Sequence, residues 1–256
     1  MAAPKALILR SPGTNCDVES AHAFELAGAT TESLHIRRLL EQPDRVDDFQ
    51  ILCLPGGFSY GDDISAGRVL GNEVRLHLAD ACRRFKDAGK LVLGICNGFQ
   101  VLMKTGLLDI DDDQGPQATL TLNDSGHYEA RWVRAAAVPG QCVFLQGLSD
   151  LDLPIAHAEG KFVARDQDAF DALQAAGRLV IRYTEPCGAS PATYPANPNG
   201  SVGDVAGICD TTGRVFGLMP HPERFVDRTQ HPRWTRGGVE EGAGLKIFEN
   251  AVGYFR

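Results

Sequence analysis

Apolar runs bounded by Gly, Pro or Asp recur along the chain. Lys5–Arg10 (KALILR), Gln50–Leu54 (QILCL) and Lys90–Cys96 (KLVLGIC) are short, continuous and rich in Leu, Ile and Val. That pattern predicts strands buried on both faces of a parallel sheet. Between the first two, Val18–Ala27 has helical spacing at Val18, Ala21 and Leu26 and stops before Gly28. Asn72–Ala88 reads as one longer amphipathic helix with Val74, Leu76, Leu78, Ala81, Cys82 and Phe85 on one face, closed by Gly89. Alternation of this kind predicts an α/β fold with a doubly wound, mostly parallel sheet.

The second half reads differently. Leu108–Asp124 is acidic and polar, without the regular oxygen ligands and closing Glu of a calcium loop, so a solvated turn is expected there. Tyr128–Val138, Val143–Leu145, Pro154–Ala158, Phe162–Ala164, Leu179–Tyr183, Val205–Cys209 and Val215–Met219 are short strand candidates with turn residues between them. Gly242–Phe255 has the spacing of a closing amphipathic helix with Leu245, Phe248 and Val252 inward. No clear linker or repeat interrupts the chain, so one domain spanning 1–256 is expected.

Composition narrows the function classes. With 43% hydrophobic and 23% charged residues, the 256-residue chain resembles an ordinary globule, and no apolar run approaches a membrane span. Lys5 and Arg10 flank an opening apolar stretch too short for a signal peptide. A net charge of -8 disfavours a nucleic-acid partner, which needs a basic face. The seven cysteines are odd in number and scattered, with no metal-ligand spacing, so no metal is expected and a cytoplasmic location is.

Three segments carry chemistry. In Gly94-Ile-Cys96-Asn-Gly98 a strand pattern meets a helix pattern at a cysteine flanked by glycines. Such a turn exposes a nucleophile at a helix N-terminus, where the thiolate is favoured; a buried cysteine between two glycines is the plain alternative. His221 stands between Pro220 and Pro222 after a predicted strand, with Glu223 two residues on. Alone it reads as a turn histidine; beside Cys96 it reads as the base of a Cys-His-Glu triad. Leu54-Pro-Gly-Gly57-Phe58 follows another strand, and its glycines free backbone N–H groups for an oxyanion, although a simple Gly-rich turn has the same look. No phosphate loop or dinucleotide fingerprint occurs.

Together GICNGFQ, GGFSYGD and GLMPHPER resemble the class I (triad) glutamine amidotransferases, a flavodoxin-like family. The segments PGTNCD, GGFSYGD and NPNGS are similar to the branch comprising the glutaminase components of phosphoribosylformylglycinamidine synthase, and the resemblance extends over HAEGK. The resemblance implies that Cys96 attacks glutamine, that His221 transfers protons and that Glu223 orients it. It also implies an oxyanion hole from the Gly57 and Asn97 amides, with Gln100 and Phe58 holding substrate. His157 and Glu159 are expected either in the glutamine pocket or at a partner face, or as an ordinary polar strand end. Arg68 stands near where relatives carry a basic residue at the partner face. The implied partner is a large synthetase holding ATP and Mg, fed with ammonia through a channel in purine biosynthesis, with a small bridging subunit as an option. No cofactor is expected in this chain. Another triad amidotransferase subunit and an inactive scaffolding relative are the alternatives. Arg233, Trp234 and Arg236, in the segment Gln230–Gly242, are either interface anchors or a solvated loop, and His231 is expected at the surface.

Overall fold

The computed structural model describes residues 2–236 and 242–256. The first half alternates as expected: β1 (Lys5–Arg10), α1 (Asp17–Leu26), β2 (Thr30–His35), α2 (Ile36–Glu41), β3 (Ile51–Leu54), α3 (Arg68–His77), α4 (Ala79–Asp87), β4 (Leu91–Ile95) and α5 (Asn97–Leu102). The rest comprises β5 (Asp111–Asp112), β6 (Gly115–Pro116), β7 (Ala118–Thr121), β8 (Glu129–Ala137), β9 (Asp150–His157), β10 (Lys161–Ala164), α6 (Gln167–Ala175), β11 (Leu179–Tyr183), β12 (Val205–Cys209), β13 (Val215–Leu218) and α7 (Leu245–Gly253). Nine strands form one sheet in the order β2-β1-β3-β4-β13-β12-β11-β8-β9. The β2-to-β13 side is parallel throughout, and β12, β11, β8 and β9 extend it in antiparallel fashion.

β3, β4 and β13 are buried at every position because helices cover the parallel side. These helices gather in two groups, α1 against α7, and α3 against α4 and α5. The antiparallel extension alternates instead: β9 runs exposed-buried-intermediate-buried along its length, the signature of a sheet with one wetter face.

Several expectations need correction. Asn72–Ala88 is not one helix: α3 and α4 meet at Leu78, whose φ of −118° and ψ of 7° leave helical geometry. The break seats Leu78 in the core and turns Leu76 outward, to 67% exposure. In α1 the buried face is Ser20, Ala23 and Phe24, whereas Val18 and Leu26 point to solvent. Val143–Leu145 is a 3-10 turn rather than a strand, packed under α7. Three apolar residues cannot show whether their period is 2 or 3. The acidic segment is only partly a turn, since β5 and β6 pair within it and β7 pairs with β10. Thr30–His35 and Gln167–Ala175 were not expected as elements. The first is a polar edge strand, while the second is announced by Asp166, whose side chain caps Ala169 N–H at 2.8 Å.

Candidate active site

β4 and β13 lie side by side, with Gly94 opposite Gly217 and Ile95 opposite Leu218. The chain leaves β4 at Cys96, whose φ of 51° and ψ of −106° place a non-glycine residue in left-handed space, and enters α5 at Asn97. Such a conformation costs on the order of 1–3 kcal/mol and persists only where surroundings fix it. Here the Cys96 N–H donates to Leu218 O at 2.8 Å. The two glycines are steric requirements. A Cβ on Gly94 would stand 2.7 Å from Gly98 O, and one on Gly98 would overlap the Leu54 carbonyl. The tight turn therefore presents the Cys96 sulfur at the carboxyl edge of the sheet, 3.6 Å from Ala156 O.

His221 arrives from the neighbouring strand. Its backbone N–H donates to Pro154 O of β9 at 2.8 Å, and Nδ1–H donates to Glu223 Oε1 at 2.6 Å. Both side chains are essentially buried. Burial alone would lower the imidazole pKa, but the Glu223 carboxylate and Cys96 outweigh it and hold the pKa well above its ordinary value. Among the described residues Nε2 has no hydrogen-bond partner, and the Cys96 and Cys16 sulfurs line the same cavity as the ring. The structure thus brings Cys96, His221 and Glu223 into one group.

Two small cavities meet at Cys96, sharing Gly57, Phe58 and Ala156. One, about 30 Å³, is closed by His221, Cys16 and Tyr128; the other, about 40 Å³, by Gln100, His157 and Glu159. Among the described residues, the Gly57 and Asn97 amides donate to no protein acceptor. Gly57 holds a φ of 144°, and a Cβ there would crowd Gly13 O at 2.7 Å, so only glycine fits this strand-end turn. Gln100 is fixed at both ends: Oε1 accepts from Asn97 Nδ2 at 2.9 Å, and Nε2 donates to Glu159 O at 2.6 Å. Asn97 also accepts from Ser59 N–H at 3.0 Å and donates to Asp62 at 3.0 Å, tying the Gly-rich loop to the start of α5.

The turn after β9 is held from beneath. Asn123 Nδ2 donates to His157 O at 2.9 Å, and its Oδ1 accepts from Gly160 N–H at 3.1 Å and from His157 Nδ1 at 3.2 Å. Asn199 Nδ2 donates to Gly160 O at 2.8 Å, and Ser201 Oγ accepts from Phe162 N–H at 2.9 Å. The NPNGS segment therefore acts as scaffolding for the wall carrying Glu159. Burial, helped by the nearby His221, pushes the His157 pKa down to about 3, so its imidazole is neutral. Glu159 faces the other way as well, accepting from Ala66 N–H at 3.2 Å.

Phe58 is 42% exposed at the rim, against Tyr128. Arg68 opens α3 on the surface and lines neither cavity. His231 is not a surface residue: it is buried against Trp132 and Phe225, with Nε2 3.1 Å from Asp152. Arg233, Trp234 and Arg236 are exposed, while 237–241 of the same segment lie outside the described residues. Sequence reasoning missed Cys16, Tyr128 and Asn123. Cys16 stood inside a recognised motif, but only the fold brings it beside His221.

The chain matches the CobB/CobQ-like glutamine amidotransferase domain over residues 3–255. It is 53% identical to phosphoribosylformylglycinamidine synthase subunit PurQ of Dehalococcoides mccartyi over 258 residues, covering 100% of this chain and 99% of that one. A Methanococcus maripaludis protein of the same name is 41% identical over 269 residues, covering 98% and 97%. A solved structure described as PurLQS from Thermotoga maritima superposes with a TM-score of 0.75 at 31% identity, covering 100% of both chains. A glutamine amidotransferase from the same organism, at 15% identity and a TM-score of 0.55, shares the fold. Elbow cysteine, carboxylate-paired histidine and full-length kinship converge: the chain belongs to the CobB/CobQ-like glutamine amidotransferase family.

Proposed function

We propose that this chain is the glutaminase subunit of phosphoribosylformylglycinamidine synthase, one glutamine amidotransferase domain over 1–256, releasing ammonia for a separate synthetase. The observation that carries the reading is the buried Cys96–His221–Glu223 group at the ends of two adjacent parallel strands. In this reading the Cys96 thiolate adds to the glutamine carboxamide carbon, and the oxygen takes the negative charge beside the Gly57 and Asn97 amides. The C–N bond then breaks, and the His221 imidazolium gives its proton to the leaving nitrogen, leaving a γ-glutamyl thioester. Neutral His221 next takes a proton from water, whose oxygen attacks the thioester and frees glutamate and the thiol. The raised His221 pKa suits this cycle, because the imidazolium supplies the departing proton. Glu223 fixes the ring through Nδ1, directing Nε2 at the sulfur side.

The amino-acid head of glutamine fits the cavity closed by Gln100 and Glu159, which puts the scissile amide on the His221 side. ATP and Mg belong to the synthetase, which activates the amide oxygen of formylglycinamide ribonucleotide. Ammonia freed into water near neutral pH is held almost wholly as ammonium, which favours a sealed path between subunits. Among the described residues no helix is long and apolar enough to cross a membrane, and a cytoplasmic complex is the setting proposed. The test is ATP-dependent amidine formation by the complex. Cys96→Ser should abolish synthesis from glutamine while leaving synthesis from ammonium salts intact. Undiminished glutamine-driven synthesis by that variant would overturn the assignment.

A further inference from the structure

Two thiols flank the His221 imidazole, and the proposed reaction uses only one. Cys16, at the start of α1, is 1% exposed and closes the same cavity as Cys96. Its sulfur donates to Asn15 Oδ1 at 3.2 Å and accepts from Arg224 Nη2 at 3.1 Å. Cys16 Sγ, one nitrogen of His221 and one oxygen of Glu223 all lie within 4.8 Å of one another. Independently, among the described residues Glu223 Oε2 is buried without a hydrogen-bond partner. Unsatisfied buried polar atoms of this kind are uncommon and call for a ligand or a chemical role.

We propose that Cys16, His221 and Glu223 form an inhibitory site for a thiophilic divalent cation, Zn²⁺. A thiolate, an imidazole binding through Nδ1 beside Glu223, and a carboxylate are a zinc donor set, and three protein ligands leave a fourth position for water from the cavity. Tetrahedral coordination at ordinary zinc bond lengths sets donors about 3.3–3.7 Å apart, so closure takes side-chain movements of about 1 Å. The thiolate and carboxylate offset the added charge. Binding displaces the Cys16 thiol proton to water, and the cation takes the sulfur once Arg224, which donates to it, rests on Glu19 alone, already 3.1 Å from Nε. Coordination holds the imidazole and its carboxylate together on the metal, so His221 can no longer carry protons. Nothing in the cysteine spacing signals this site, because its ligands come from opposite ends of the chain.

The inhibitory consequence rests on the triad reading, whereas metal binding does not, so the two are measured separately. In the full chain carrying Cys96→Ser, Co²⁺ should give thiolate-to-cobalt absorption and the visible bands of tetrahedral cobalt, both displaced by Zn²⁺. Adding Cys16→Ser should remove them, with circular dichroism confirming the fold and Cys16→Ala as a second replacement. In the complex, Zn²⁺ should inhibit glutamine hydrolysis reversibly on chelation, and Cys16→Ser should raise the half-inhibiting concentration about tenfold or more, the scale of losing a supporting interaction or ligand. Absence of thiolate–cobalt absorption, its persistence without Cys16, or a half-inhibiting concentration unchanged by Cys16→Ser would overturn the proposal. If glutamine hydrolysis itself proved absent, the cobalt spectra would still decide the binding.

Discussion

Replacing Gly94 by alanine probes how tightly the turn at Cys96 is built. Gly94 has an ordinary backbone conformation, so the added methyl acts through contact alone. Its Cβ would lie 2.7 Å from Gly98 O and 2.6 Å from Leu102 Cδ1, where ordinary contact begins at 3.4 Å. The Leu102 side chain can rotate away, but the Gly98 carbonyl belongs to the first turn of α5 and must retreat by about 0.7 Å, from the same two numbers. Overpacking on this scale costs about 1–3 kcal/mol, which lowers Tm by roughly 3–10 °C for a chain of this size. Because Asn97 and Cys96 ride on that turn, thioester formation should fall by about 10-fold to 100-fold, the scale expected for misplacement approaching an ångström. Calorimetry and rapid-quench measurement of acylation check the two effects together. Gly253→Ala is the control: among the described residues nothing lies within 4 Å of a Cβ there, and it should leave the rate unchanged. Wild-type Tm and acylation in Gly94→Ala would refute the steric reasoning.

Other outcomes follow from the same geometry. Glu223→Gln should lower kcat by about 10²–10⁴-fold, the range for losing effective acid–base catalysis, with circular dichroism unchanged; near-normal turnover would remove Glu223 from the triad. His157, with its folded pKa down at about 3, binds its proton more readily in the unfolded chain, so stability is present above about pH 6.5 and lost as pH falls toward 3. At pH 5 the loss from this group is about 2 kcal/mol, and His157→Gln should show a shallower acid limb in denaturant titrations; parallel limbs would contradict the buried neutral imidazole. Asn199→Ala removes the bond to Gly160 O and should raise KM for glutamine more than it lowers kcat, with about 1–3 kcal/mol of lost stability; a pure kcat effect would argue against a supporting role.

The parallel half was legible because each buried strand is a continuous apolar run with a glycine or proline near its end, and β1 falls at the expected residues, as do β11 and β12 of the antiparallel extension. Local chemistry failed where tertiary contacts decide. Leu78 breaks a helix without glycine or proline, since seating it in the core outweighs keeping one axis. β2 is polar because it closes the sheet edge, so its sequence lacks the alternation that marks a strand. For the site, Cys96 and His221 each carried a local signature in the elbow and the proline bracket. Cys16, although inside PGTNCD, and Asn123 carried no sign of a role: a small buried thiol and a turn asparagine look ordinary until folding sets them against His221 and His157. His231 was misjudged for the same reason, as its burial depends on Trp132, far away in the chain.

Because two sulfurs border one imidazole, the decisive question is which of them is the nucleophile. A chloroketone analogue of glutamine, incubated with the synthetase complex and followed by peptide mass spectrometry, answers it directly. The expected adduct sits on Cys96, persists in Cys16→Ser and vanishes in Cys96→Ser. An adduct on Cys16, or labelling that survives the loss of the Cys96 thiol, would contradict the proposed triad.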